Sequence, residues 1–154
     1  MSGNAPEIEL PHLPRARVAI ISSSWHLDIC NDLVAGAERA LAAAAIKNVE
    51  VIYVPGSFEI PLASQIAFEK GFDAVVAVGL VLEGETPHFD YVCQGVTQGV
   101  MDVSLKFSAP IGFGVLMCNT LDQAVARSGR PGSSEDKGYD SAVAAIKLLQ
   151  LKEG

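Results

Sequence analysis

The sequence alternates four times between short apolar runs and segments in which apolar residues recur with a helical period, and this alternation narrows the possible folds most. The third run, Ala74–Leu82, is almost continuously apolar, as expected of a strand covered on both faces. Strands are predicted at residues 17–21, 49–54, 74–82 and 110–117. Because strand–helix alternation of this kind forms right-handed βαβ units, we predict an α/β fold with a mainly parallel four-stranded sheet and helices on both of its faces.

Helices are predicted from the spacing of apolar residues and from the residues that cap helix ends. Their ranges are 27–46, 59–70, 87–107, a short helix that ends near residue 127, and 137–151. Thr86 is predicted to cap the third helix, with Pro87 at its first position, and residues 120–123 (TLDQ) have the form of a capping box. Residues 22–24 (SSS) are predicted to be helix-capping residues after the first strand.

The length of 154 residues is that of one ordinary domain, so residues 16–154 are predicted to form a single domain. Residues 1–15 hold three prolines and two glutamates and are predicted to form an extended arm, without the basic start and apolar stretch of a signal peptide. No apolar run reaches the length of a bilayer core before a Gly, Pro or charged residue interrupts it. We therefore expect neither a signal peptide nor a membrane partner.

Charge and cysteine content argue against further classes of protein. Eleven basic and eighteen acidic side chains give a net charge of −7, and a field of that sign repels nucleic acid and anionic lipid. The three cysteines are widely spaced and form no C-x-x-C pair, which argues against both a zinc site and a disulfide scaffold. We expect a cytoplasmic protein that has no nucleic-acid partner and binds no metal.

Ligands of parallel sheets bind beyond the carboxyl ends of the strands, which selects the loops at residues 22–26, 55–59, 82–88 and 117–120. Trp25 follows the first strand, where it is either a platform for a flat ring or a tryptophan that closes the edge of the core. Glu59 begins the second helix, where it either binds ligand hydroxyls or only stabilises the positive end of the helix dipole.

Residues 84–88 (GETPH) form the most suggestive stretch of the chain. Gly84 allows close backbone approach, the exposed N–H groups of a helix start bind anions, and His88 lies within the first turn. A phosphate site and a proton-transfer group are thus predicted as neighbours, although a lone histidine is often only a satisfied polar residue. Arg127 and Lys137 flank a later loop, residues 128–136, where solvated helix-end charges are the usual explanation.

Taken together, these motifs resemble the lumazine synthase family over about residues 17–149. The specific stretches are 79–92 (GLVLEGETPHFDYV), 57–61 (SFEIP), 113–116 (FGVL), 122–124 (DQA) and 137–138 (KG). The resemblance implies a flavodoxin-like, three-layer α/β/α sandwich. It also implies the condensation of 5-amino-6-(ribitylamino)uracil with 3,4-dihydroxy-2-butanone 4-phosphate to 6,7-dimethyl-8-ribityllumazine, with release of phosphate and water, in riboflavin biosynthesis. No cofactor and no metal are implied.

The resemblance also implies roles for residues that recognise the uracil substrate. By analogy with the family, Trp25 stacks on the pyrimidine ring. Ser57, Phe58 and Glu59 hold the ribityl chain and the edge of the ring. The walls of the ring pocket are Leu80, Val81 and Leu82.

A second set of implied roles concerns the phosphate and the proton. The backbone at Glu85 and the hydroxyl of Thr86 hold the phosphate from one subunit, and Arg127 holds it from the neighbouring subunit. Phe113 and Lys137 reach across the same interface. His88 is the proton shuttle.

Two departures from the family pattern concern charge and loop length. Glu83 stands where the family commonly has a basic residue and Glu85 where small residues are frequent, so anion binding should be weaker unless both carboxylates point into solvent. Residues 129–136 form a longer loop than in family members that build icosahedral shells, which favours a homopentamer over a decamer or a shell. The resemblance admits riboflavin synthase as a partner. The alternatives are a non-catalytic flavin-binding relative and a cage-forming relative on the same fold.

Overall fold

A computed structural model describes residues 6–154 of the chain, and its strands and helices alternate as the sequence predicts. The elements are β1 (Arg17–Ser23), α1 (Leu27–Ala43), β2 (Asn48–Val54), α2 (Ile60–Glu69), β3 (Ala74–Leu82), α3 (His88–Phe107), β4 (Ile111–Cys118), α4 (Leu121–Arg127) and α5 (Lys137–Glu153). A short 3-10 turn, Ser57–Glu59, precedes α2. The strand order is β2-β1-β3-β4, and all three pairings are parallel. This is the doubly wound arrangement of a flavodoxin-like sheet, as predicted.

The sheet is the middle of three layers, because its strands bury side chains on both faces. Along β1, Val18 and Ile20 face a core shared with α1 and α5, whereas Ala19 and Ile21 face a core shared with α2 and α3. Successive side chains of a strand point to opposite faces, so a strand covered on both sides is apolar at every position. This explains the continuous apolar run of β3.

Two glycines allow α5 to pack closely, one against α1 and the other against the sheet. A Cβ at Gly138, in the first turn of α5, would collide with the backbone carbonyl of Leu33 in α1. A Cβ at Gly112, in β4, would collide with the carbonyl of Ser141 in α5. The backbones therefore approach within a distance that only glycine permits.

The predicted role of the three serines is wrong. β1 continues through Ser22 and Ser23, which are fully buried, and the Ser24 hydroxyl donates to the carbonyl of Val54 at 2.8 Å. His26, in a left-handed conformation with φ 54°, precedes α1 and makes no capping hydrogen bond through its side chain. Burial and cross-strand bonding thus outweigh the capping preference of serine here.

Helix ends differ from prediction by a few residues. α1 ends at Ala43, three residues early, and is followed by Ala45 at φ 59°. α3 begins at His88 and not at Pro87, although the Thr86 hydroxyl still accepts a weak hydrogen bond from the His88 N–H at 3.4 Å. The capping box of α4 is confirmed, with Thr120 and Gln123 bonded reciprocally.

The predicted arm lies only partly within the described residues, since residues 1–5 fall outside them. Residues 6–13 have neither helix nor strand, and Leu13 is buried and donates its N–H to the carbonyl of Ala44 at 2.8 Å. None of the helices between residues 6 and 154 combines the length and the apolar character needed to cross a membrane.

Candidate functional site

A cleft of about 830 Å³ opens at the carboxyl ends of the first three strands. Its walls come from the residues that follow β1, from the 3-10 turn after β2, and from the end of β3 with the first turn of α3. The order β2-β1-β3-β4 reverses between β1 and β3, and ligands of open parallel sheets bind at such a switch point. Three of the four loops selected from the sequence line this cleft. The fourth, residues 117–120, does not.

Most of the predicted site residues are brought together here. Those that line the cleft are Trp25, Ser57, Phe58, Glu59, Leu80, Val81, Leu82, Thr86 and His88. Four others do not line it: Glu85, Phe113, Arg127 and Lys137. For Phe113, Arg127 and Lys137 this agrees with the expectation that they act in a neighbouring subunit, which a single chain does not test.

Trp25 stands out from the protein surface, with 68% of its area exposed. A tryptophan that closed the edge of the core would be covered within its own chain, so this exposure favours the interpretation of Trp25 as a platform for a flat ring. Gly56 brings the indole and the Glu59 carboxylate close together, since a Cβ placed on it would lie 3.5 Å from Trp25 Nε1 and 3.9 Å from Glu59 Oε1. A flat apolar surface and a carboxylate thus lie side by side, which suits a flat heterocycle with N–H groups on its edge.

Ser57 carries a buried hydroxyl that accepts and donates no hydrogen bond among residues 6–154. The side chain is 5% exposed and forms part of the cleft wall. It lies over Gly79, where a Cβ would come within 2.9 Å of Ser57 Oγ and 2.6 Å of Ser23 Oγ. A buried hydroxyl without a partner costs free energy unless a ligand or water supplies one.

The first turn of α3 forms the opposite side of the cleft. His88, its first residue, is exposed, and Thr86 lies two residues earlier. The helix is 20 residues long, so its N-terminal N–H groups and dipole favour an anion at this end. Glu83 lines the cleft on the same side and is exposed. The predicted anion site and proton-transfer group are therefore neighbours.

Glu83 and Gly84, which the sequence places beside the anion site, also line the cleft, and five further lining residues were assigned no role from the sequence: His26, Gly56, Phe89, Tyr91 and Val92. Tyr91 could have been found, because it lies three residues after His88 on the same helix face. Phe58 packs its ring against the backbone of Gly95 in α3, which joins the two sides of the cleft. His26 also lines the cleft. Its backbone is left-handed, a conformation that no sequence pattern indicates.

Arg127 and Lys137 are not the solvated charges that their positions suggest. Arg127 Nε lies 3.5 Å from one oxygen of Glu135, and Lys137 Nζ lies 3.0 Å from the other. Lys137 Nζ is also 3.8 Å from Asp140 Oδ2. Burial raises the pKa of the Asp140 carboxyl, and Lys137 acts against that rise. Phe113 lies on the edge strand β4 with 41% of its area exposed.

Within residues 6–154, no group of three or more His, Cys, Asp and Glu side chains has the arrangement needed to hold a metal ion. The cleft instead combines aromatic and aliphatic walls with two carboxylates, three hydroxyls, two histidines and a helix N-terminus. Such a set binds a flat polar ring and an anion and can move protons between them.

Known proteins resemble this chain along almost its whole length. The sequence model of the family described as 6,7-dimethyl-8-ribityllumazine synthase matches residues 15–153. A protein of that name from Streptomyces coelicolor is 50% identical over 147 residues, which are 95% of this chain and 91% of the relative. Another from Pseudarthrobacter chlorophenolicus is 49% identical over 152 residues, 95% and 94% of the two chains. A third, from Kineococcus radiotolerans, is 44% identical over 155 residues, 100% and 96%.

Proposed function

The chain belongs to the 6,7-dimethyl-8-ribityllumazine synthase family, and from this premise we propose which of its residues carry the reaction and how subunits share it. The enzyme is a transferase of riboflavin biosynthesis. It joins 5-amino-6-(ribitylamino)uracil to 3,4-dihydroxy-2-butanone 4-phosphate and forms 6,7-dimethyl-8-ribityllumazine, phosphate and water. The non-catalytic alternatives are not favoured, because the relatives carry the name of the synthase.

The uracil substrate binds along the wall formed by Trp25 and the 3-10 turn. The exposed indole offers one face to the pyrimidine ring, and Glu59, beside it, accepts hydrogen bonds from N–H groups or ribityl hydroxyls. The unpartnered Ser57 hydroxyl gains a hydrogen bond from the ribityl chain. The backbone and side chains of Leu80, Val81 and Leu82 close the pocket behind the ring.

The butanone phosphate binds beside the first turn of α3. The backbone near Glu85 and the Thr86 hydroxyl receive the phosphate at the helix N-terminus. Arg127 of the adjoining subunit supplies a full positive charge, with Lys137 and Phe113 from the same neighbour. In support of this, the cleft lies at the ends of β1, β2 and β3, whereas Phe113 and Arg127 belong to β4 and the helix after it. A head-to-tail ring brings such opposite edges of neighbouring subunits together.

His88 moves protons in each step of the condensation. The 5-amino group attacks the ketone, water leaves to give an imine, a proton is lost from carbon, phosphate departs, and the ring closes with loss of a second water. None of these steps transfers a hydride, so acid–base catalysis and orientation suffice. Holding two reactants in the right geometry can lower the barrier by roughly 7 kcal/mol or more, which leaves His88 an assisting part.

The assembly we propose is a homopentamer. Several large apolar side chains on α2 and α3 are exposed in the single chain, among them Leu62, Ile66, Met101 and Leu105. An exposed apolar surface of this kind favours contact with another subunit. Light scattering of the purified protein should give five times the mass of one chain. A mass of ten or of sixty chains would correspond to the decamer or the shell.

The protein is proposed to act in the cytoplasm, where riboflavin synthase is its candidate partner. Cys30, Cys93 and Cys118 are unpaired in the described residues, as suits a reducing compartment. Co-sedimentation with purified riboflavin synthase would support the partnership, and independent sedimentation at micromolar concentrations would contradict it.

The observation that carries the activity is the family match over residues 15–153, combined with a cleft that holds nine of the implied site residues. The test is to mix the purified chain with both substrates and to follow the fluorescence of the lumazine and the release of phosphate. Both should appear at equal rates above the uncatalysed background. Bound flavin without any lumazine formation would instead support a flavin-binding relative.

A further inference from the structure

The loop between α4 and α5 carries Glu135, whose carboxylate contacts both Arg127 and Lys137. Glu135 Oε2 is 3.5 Å from Arg127 Nε, and Glu135 Oε1 is 3.0 Å from Lys137 Nζ. The contact with Lys137 is an ion pair without hydrogen-bond geometry. Only 12% of the Glu135 side chain is exposed, so the charges interact in partly desolvated surroundings, where screening by water is weaker than at the surface.

The backbone of the loop fixes Glu135 beside the end of α4. Its N–H donates to the carbonyl of Ala126 at 3.0 Å, and its carbonyl accepts from the N–H of Gly129 at 3.1 Å. The Ser133 hydroxyl donates to the carbonyl of Val125 at 2.7 Å. The position of the carboxylate relative to Arg127 is therefore set by the main chain and not only by attraction between the side chains.

Two side-chain contacts with α1 also hold this loop in place. Arg130 Nε donates to Asp32 Oδ2 at 2.7 Å, and Arg39 Nη2 donates to Asp136 Oδ2 at 2.8 Å. Asp136 also caps α5 by accepting the Tyr139 N–H at 3.2 Å. The loop is thus an ordered support for Glu135 despite its two glycines at positive φ.

One side of the Arg127 guanidinium is occupied and the other is not. Nε faces Glu135, and Nη1 donates to the carbonyl of Gln123 at 2.9 Å. Nη2 has no hydrogen-bond or ion-pair partner among residues 6–154. A guanidinium held by Nε and Nη1 keeps a fixed plane and still offers donors to an anion.

We propose that Glu135 is a positioning residue that orients Arg127 and Lys137 as a preassembled pair for the phosphate of the butanone substrate. The inference rests on the proposed function of Arg127. A carboxylate near an anion site would by itself weaken anion binding. Here, however, it occupies the Nε side of the guanidinium and fixes two long side chains that otherwise sample many rotamers.

The proposal is tested by steady-state kinetics of four variants: Glu135→Ala, Glu135→Gln, Arg127→Ala and the double variant Arg127→Ala/Glu135→Ala. The exposed Glu153→Gln is the control. Glu135→Ala should raise the KM for butanone phosphate and the inhibition constant of inorganic phosphate by about tenfold, as expected when binding must order two flexible side chains that are no longer held in place. The KM for the uracil substrate should stay the same. Glu135→Gln should fall between Glu135→Ala and the unaltered enzyme, because the amide keeps the shape of the side chain but not its charge.

The double variant decides whether Glu135 acts through Arg127. If it does, adding Glu135→Ala to Arg127→Ala changes the KM for butanone phosphate much less than it does in the unaltered enzyme. An unchanged or lowered KM in both Glu135 variants would overturn the inference while Arg127→Ala still supports the proposed site. An equal rise of both substrate KM values together with a lowered unfolding midpoint would also overturn it, since a structural role alone explains that result. If Arg127→Ala has no effect on KM, the role of Arg127 and the inference fall together, and lumazine formation by the unaltered enzyme still tests the reaction itself.

Discussion

At the scale of single residues, the cleft holds groups that the fold leaves without partners. The Ser57 hydroxyl is buried and has no hydrogen bond among the described residues, and most of the Trp25 side chain is exposed. The identities and order of these residues are visible in the sequence. Their exposure is not, because it depends on which loops meet at the carboxyl ends of the strands. The sequence therefore left two possible roles for Trp25 and two for Glu59. The exposure of Trp25 and its closeness to Glu59 favour the ligand-binding role of each.

Replacement of His88 tests the division between proton transfer and orientation. We expect His88→Ala to lower kcat by about a hundredfold, a typical contribution of general acid–base catalysis, and to leave measurable turnover because both substrates are still held together. The measurement is initial-rate fluorescence of the lumazine, with the exposed His12→Ala, outside the cleft, as the matched histidine control. Loss of all activity with substrate binding intact would contradict this division.

The cysteines predict a loss of stability at alkaline pH. Burial is the main cause that raises the pKa of the Cys30, Cys93 and Cys118 thiols above the ordinary value of 9.0. The folded chain keeps these protons to higher pH than the unfolded chain, so their contribution to stability is complete below pH 9.0 and declines as pH rises through the folded pKa values. The urea midpoint should therefore fall as pH rises above 9.0, and less steeply in Cys30→Ala than in the unaltered protein. Equal slopes for the two proteins would refute the part assigned to Cys30.

At the scale of elements, periodicity predicted the four strands and the four longer α-helices, and the capping box predicted α4. The 3-10 turn at Ser57–Glu59 was not predicted, and some helix ends differ from prediction by a few residues. The capping box of α4 is self-contained within residues 120–123, so the sequence alone was sufficient to predict it. The run of residues 22–24 favours a cap by composition, yet in the buried sheet Ser22 pairs with both β2 and β3, and Ser23 pairs with β2. That outcome depends on neighbours distant in sequence, which a local pattern does not contain. The ion pairs of Glu135 were missed although their partners are near in sequence, because they depend on the path of the loop at residues 128–136, which its composition does not indicate.

Close packing of α1 on α5 predicts a stability effect at Gly138. Its Cβ position overlaps the Leu33 carbonyl, so Gly138→Ala must push the helices apart and should lower the free energy of unfolding by about 1–3 kcal/mol. Gly84→Ala is the matched control for stability, since no atom lies within 4 Å of its Cβ position. Chemical denaturation of both variants measures the difference. Equal stabilities would mean that the helices do not approach as closely as described.

At the scale of the whole molecule, the net charge does not exclude a small anionic substrate, and the apolar content is not confined to the core of one chain. The net charge of −7 repels polyanions, yet a small phosphorylated substrate needs only a helix N-terminus and one or two oriented cations. The exposed apolar side chains of α2 and α3 indicate that part of the apolar composition serves contacts between subunits. The sequence reveals the apolar residues but not which of them a single chain leaves uncovered.

The subunit contact itself predicts a linked loss of assembly and activity. Leu62→Asp, on α2, places a charge on a side chain that is 63% exposed in the single chain, and Leu105→Asp does the same on α3 at 71%. Each variant should shift the assembly toward smaller species in light scattering and lower turnover in parallel, because a desolvated charge is costly at an apolar contact. Retention of full activity by a dissociated subunit would show that one chain contains the whole site.

The central claim is that each active site joins the cleft of one subunit to Arg127 of the next, and subunit mixing tests it most directly. Trp25→Ala damages only the cleft, and Arg127→Ala damages only the charge supplied to the neighbour. In a random co-assembled mixture, about a quarter of the sites should combine an intact cleft with an intact Arg127, as a head-to-tail interface requires. We predict that the activity of the co-expressed mixture clearly exceeds the mean of the two variants assayed separately. An activity equal to that mean would show that each chain carries both parts of its own site.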